Sequence, residues 1–140
     1  MANPLASSFY DSLDRCLAAP GFLTRFYDLF LASSPEVRAK FQHTDLTRQR
    51  RMLSTSLHLI LAAGYGAPES QTHLTRLASL HGKHGRDIPP HLYELWLEAL
   101  VAAASEHDPD FSPRLRDAWR EMLRPGIDTL LAGYDSPPPA

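Results

Sequence analysis

The chain has 140 residues, 14 of them Lys or Arg and 16 Asp or Glu, for a formal net charge of −2; that length suits one domain with a core able to enclose a pocket. Its cations read as spread along the chain, so no phosphate-tracking surface and no nucleic-acid partner are expected. Cys16 is the single cysteine, which excludes an internal disulfide and a thiolate-rich metal site, and no apolar run reaches membrane length.

The opening "MANPLASSFYDSLDRC" carries acids where a secretory leader would carry a basic patch and an apolar run, so the expected location is cytoplasmic, with no membrane partner. Only helix-like periodicity follows. Breaks rich in Pro, Gly and Ser at 18–21, 33–36, 41–45, 63–70, 82–90 and 106–113 divide the chain into seven helical pieces. No alternating strand pattern occurs, so the fold class is all-α.

Two breaks contain helix starts with a stated cause. Ser34 before Pro35, and Ser112 before Pro113, can each accept a free backbone N–H while the proline presets the first helical φ. From Thr44 to about Gly64, Leu53, Leu57, Ile60 and Leu61 form an apolar stripe, with Arg48, Arg50 and Arg51 mostly elsewhere. Gln49 interrupts that stripe one turn before Leu53, and burying an unpartnered amide costs about 1–3 kcal/mol. The last segment, 112–132, contains Pro125, which is expected to kink or split it. One domain over 1–132 and a disordered tail over 133–140, "GYDSPPPA", complete the expectation.

The residues for chemistry are few. There is no glycine-rich phosphate loop, no serine nucleophile elbow and no zinc-protease histidine pair. Histidines stand at 43, 58, 73, 81, 84, 91 and 107. Of these, His81 and His84 in "LASLHGKHG" share a helix face, where they suit a metal site, a haem ligand with a neighbour, or a polar helix end. No third ligand with zinc spacing is visible. His58 is expected to point away from any pocket, His43 to be exposed, and Cys16 to act as a small buried hydrophobe.

The stretches "FYDLFLASSPEVRAKF", "QRRML", "LASLH", "IPPHLY" and "DAW", taken together, resemble a bacterial single-domain globin and the globin part of flavohaemoglobins. The resemblance runs from Phe22 to Leu131. It implies a globin fold of about seven helices in a three-on-three sandwich around haem b. It also implies His81 as the proximal iron ligand, with Phe41, Leu53, Leu57, Leu77 and Tyr93 walling the cofactor. Tyr27 and Gln49 fall on the two distal positions that donate hydrogen bonds to a bound ligand. His81 then follows Gln49 by 32 residues, and four matches share one register.

The function so implied is reversible binding of O2, NO and CO at a five-coordinate iron, for storage, scavenging or nitric oxide detoxification with an external reductase. A haem-based gas sensor or partner-binding module, and a haem-free adaptor, are the alternatives. Tyr134 stands where flavohaemoglobins carry a glutamate in the last helix, and no reductase segment follows, which turns the expectation away from an enzyme. A homodimer through the last helices also belongs to the resemblance.

Overall fold

The computed structural model describes residues 4–64, 72, 75, 76, 81 and 88–133. Six helices span these residues: α1 (Pro4–Ala18), α2 (Phe22–Ala32), α3 (Pro35–Phe41), α4 (Leu46–Gly64), α5 (His91–His107) and α6 (Pro113–Ala132). Among the described residues there is no strand. The seventh expected piece falls largely outside them, although Thr72, Thr75, Arg76 and His81 are each helical. Tyr134 and all but the first residue of the expected tail also lie outside. No helix among the described residues is long and apolar enough to cross a membrane.

Each boundary has a local cause. Gly21 holds φ at +84°, a left-handed conformation that costs a glycine little, and its carbonyl accepts the first bond of α2 from Arg25 N–H at 2.8 Å. Ser34 caps α3 by accepting Glu36 N–H at 3.1 Å, with Pro35 as the first helical residue. Ser112 repeats the device for α6, accepting Leu115 N–H at 3.2 Å. Both serines act as the sequence predicts. Asp45 caps α4: its carboxylate accepts Arg48 N–H at 3.2 Å and its carbonyl accepts Gln49 N–H at 3.0 Å.

Contacts divide the chain into two compact units, Met1–Arg51 with Leu95–Met122 and Met52–Glu94 with Leu123–Ala140. The first is built on aromatic side chains. Trp119, fully buried, meets Phe9 edge-on at 5.1 Å and Phe22 at 6.3 Å. Phe26 stacks on Phe30 at 5.6 Å and meets Tyr27 and Trp96 edge-on at 4.7 and 6.0 Å. Cys16 is buried there as expected, and burial pushes its thiol up to about 12, so it stays protonated and inert.

The second unit buries Leu53, Leu57, Leu92, Tyr93, Leu123, Ile127 and Leu130. Arg124 ties α6 to α5 by pairing with Glu94 at 2.6 Å. Of the two outcomes expected at Pro125, a kink or a split, the split does not occur: α6 runs unbroken through it. Proline removes one backbone bond, a cost of about 3 kcal/mol. Met122, Leu123, Ile127 and Leu130 are buried on either side of it, each worth about 1.5–3 kcal/mol. Keeping one helix therefore outweighs the missing bond.

Candidate functional site

The residues predicted to carry chemistry near the first two helices do come together. α2 buries Tyr27 to 3% exposure, and α3 ends in Phe41, whose ring meets Tyr27 at 6.0 Å and Phe30 at 5.7 Å, both edge-on. The Ser34 cap sets where α3 begins, and so where Phe41 arrives. Arg38 adds a second tie, donating to the Leu31 carbonyl at the end of α2 at 3.0 Å.

The Asp45 cap likewise fixes the first turn of α4, which ends in Gln49, and Arg50 opens the next turn; both are half-buried. Burial pushes the Tyr27 hydroxyl up to about 12, while the Gln49 side chain and the charge of Arg50 pull the other way. Tyr27 is thus a neutral phenol throughout the physiological range. A tyrosine hydroxyl and a glutamine amide together own three donor hydrogens. The pair keeps donor capacity in a largely apolar setting.

Other predicted residues stand as follows. Leu53 and Leu57 are buried on α4, and His58 is exposed, as its place on the helix requires. His43 is exposed in the turn between α3 and α4. Tyr93 is buried in the first turn of α5, where Leu92 and Tyr93 N–H reach back to the Pro89 and Pro90 carbonyls at 3.0 and 3.2 Å. Burial alone pushes its hydroxyl up to about 12, and it has no hydrogen-bond partner among the described residues. His81 is half-buried and helical, its carbonyl accepting Ile88 N–H at 2.9 Å. Leu77 and His84 lie outside the described residues.

Sequence reading missed one polar cluster altogether. The side chain of Asp108, 0% exposed, accepts from Ser12 Oγ at 2.5 Å, Arg15 Nε at 2.7 Å, Arg15 Nη2 at 3.0 Å and Asp110 N–H at 2.9 Å. Trp119 Nε1 donates in turn to Ser12 Oγ at 3.0 Å. Burial would raise the Asp108 carboxyl, yet Arg15, Ser12 and the Asp110 amide together hold it below its ordinary value. About four lone-pair sites belong to a carboxylate, and four donors occupy this one. The arrangement has no capacity left for a ligand and is structural.

The globin family profile matches residues 24–129. The chain belongs to the globin family. This globin also resembles a solved structure from Pseudomonas aeruginosa PAO1, described as structurally highly homologous to a human haemoglobin. The two are 40% identical, with a TM-score of 0.89 over 94% of this chain and 99% of that one. The fold is therefore the globin fold. This globin matches no curated protein sequence.

Proposed function

We propose that this protein is a single-domain, cytoplasmic haem b globin that reversibly binds O2, NO and CO, with His81 as the proximal ligand. The observation that carries the reading is the Tyr27–Gln49 pair: a buried phenol whose ionisation is biased by a half-buried amide, both owning donors. In a family whose members hold haem, such donors serve a ligand on which negative charge accumulates. Two further features fit that cofactor. His81 offers an imidazole on a half-buried helical residue, and the buried Tyr93 hydroxyl lacks a protein partner among the described residues. An unmet buried donor costs about 1–3 kcal/mol, which a polar edge of a bound group would offset.

When bound, haem iron supplies reversible coordination of a diatomic ligand. The chain does the rest. His81 would hold the iron through one ring nitrogen, leaving the other for a hydrogen bond that fixes ring orientation. Tyr27 and Gln49 hold protons toward the ligand without releasing them, since a phenol at about 12 does not ionise at neutral pH. By the family resemblance Phe41, Leu53, Leu57, Leu77 and Tyr93 would wall the cofactor and exclude water, and a low-dielectric setting strengthens such hydrogen bonds. A bond of this charge-assisted kind is worth about 1.5–3 kcal/mol.

Optical spectra of the ferric, ferrous and CO-bound protein provide the test. A Soret band with a five-coordinate ferrous form is expected, and His81→Ala should abolish it. Retention of the normal ferrous spectrum in that variant would move the ligand to another residue. Protein that takes up no haem at all would leave the adaptor reading in its place.

A further inference from the structure

A cleft lies between α1 and the start of α6. From α1 it is lined by Asp11 and Arg15, four residues apart on one helical face, and from the other side by Ser112, Arg114, Leu115 and Ala118. All of these belong to the unit formed by Met1–Arg51 and Leu95–Met122. The cleft holds about 270 Å³, whereas sites for drug-sized ligands run from about 300 to 1,000 Å³. Its occupant is therefore small, below the size of a nucleotide.

The charges around the cleft differ in what already engages them. Arg15 is committed to Asp108, donating from Nε at 2.7 Å and from Nη2 at 3.0 Å, so it stands as a fixed wall. Asp11 and Arg114 are both exposed, and neither forms a hydrogen bond or an ion pair among the described residues. A free carboxylate and a free guanidinium thus face one cleft without closing on each other. The Ser112 hydroxyl accepts Leu115 N–H at 3.2 Å and keeps its own hydrogen to donate. Leu115 and Ala118 are buried and give the cleft an apolar floor.

An occupant with negative charge alone would set that charge against Asp11. One with positive charge alone would meet Arg114 and the positive end of α6. A molecule carrying both charges on a short apolar body meets neither objection. We propose that this cleft binds a small zwitterion of the aliphatic amino-acid class. Arg114 and the Ser112 hydroxyl hold its carboxylate, Asp11 holds its ammonium group, and its side chain lies on Leu115 and Ala118. The first-turn amides of α6, which any helix start leaves without intrahelical acceptors, add donors for the carboxylate. The site shares no residue with the Tyr27–Gln49 pair, and the inference does not rest on the haem reading.

Titration calorimetry of the purified protein with L-leucine, isocaproate and isoamylamine tests this, the last two being leucine without its ammonium group and without its carboxylate. Leucine should bind with a dissociation constant of about 1 mM, and each single-charge analogue about tenfold more weakly or worse. Arg114→Gln should weaken leucine about fivefold to tenfold while leaving isoamylamine no weaker. Asp11→Asn should weaken leucine to a similar degree and strengthen isocaproate, since the carboxylate that repels it is gone. Both positions are exposed, so the fold should be kept, and the analogue comparison on the parent protein depends on no variant. Isocaproate that binds as tightly as leucine would make the cleft a simple anion site and overturn the proposal. Leucine binding that either variant leaves at the parent value overturns it too, as does absence of binding at about 10 mM leucine. None of these outcomes bears on the Soret band, by which the haem reading stands or falls.

Discussion

Two polar clusters lie in the unit formed by Met1–Arg51 and Leu95–Met122, and they differ in what they have left to give. At Asp108, every carboxylate lone pair is taken by Ser12, Arg15 or the Asp110 amide, and the Ser12 hydroxyl is also taken by Trp119. At Tyr27, a buried hydroxyl and the half-buried Gln49 amide face no such set of partners among the described residues. A saturated buried cluster spends its polarity on the fold. An unsaturated one keeps donors in hand, and its cost is tolerated where a ligand completes it. Burial alone does not separate the two, since Asp108 and Tyr27 are both 3% exposed.

Breaking the saturated cluster should therefore damage stability and leave ligand affinity nearly alone. Asp108→Ala strands a guanidinium, a serine hydroxyl and the Asp110 amide, and the expected loss is about 3 kcal/mol, from a range set by buried pairs and reduced because Arg15 is one-third exposed. Urea denaturation followed by far-UV circular dichroism reads it. The same cluster gives an acid limit. Its carboxyl is held below the ordinary 3.8 against the opposing effect of burial, so its contribution is complete above that value and is withdrawn as pH falls through the lower folded pKa. Asp108→Asn should remove this part of the acid dependence, and an unchanged acid transition would show that the charge at Asp108 matters less than its hydrogen bonds.

Breaking the unsaturated cluster should do the reverse. Tyr27→Phe deletes one hydroxyl, and loss of a hydrogen bond worth about 1.4 kcal/mol or more speeds oxygen dissociation roughly tenfold or more. Because the phenol stays neutral up to about 12, the off-rate of the parent should be flat across the physiological pH range. An off-rate that Tyr27→Phe leaves unaltered would remove Tyr27 from the ligand-holding role and return it to the core with Phe26 and Phe41.

Much of the local structure is legible in the sequence because it depends on near neighbours. The Ser34 and Ser112 caps, the glycine turn before Phe22, the outward face of His58 and the burial of Cys16 all follow from a few adjacent residues and helical period. The Tyr27, Phe41 and Gln49 grouping was legible through spacing shared with a family, which periodicity alone would not have supplied. Asp108 escaped notice because "EHDPDF" reads as a polar break, while Ser12 lies 96 positions away and Arg15 lies 93. At Pro125 the sequence left a kink and a split both open for a related reason: backbone chemistry at one residue is visible locally, but the apolar burial that keeps the helix in one piece is not. Arg50 was grouped with Arg48 and Arg51, and only its half-buried setting separates it from those exposed neighbours.

The smallest expected effect concerns how the unsaturated cluster is held. α3 has seven residues, too few to be stable by themselves, so its start depends on Ser34 and its end delivers Phe41 to the rings of Tyr27 and Phe30. Ser34→Ala should cost about 1 kcal/mol, read as a lower urea midpoint with an unchanged slope. If α3 serves the site by placing Phe41, the variant should also speed oxygen release, by less than Tyr27→Phe does, because the ring loosens while the hydroxyl remains. Ser34→Asp restores a capping acceptor, so it should recover both quantities. Recovery of the midpoint without the off-rate would mean that the cap stabilises the helix and that the Tyr27–Gln49 pair keeps its geometry through α2 and α4 alone.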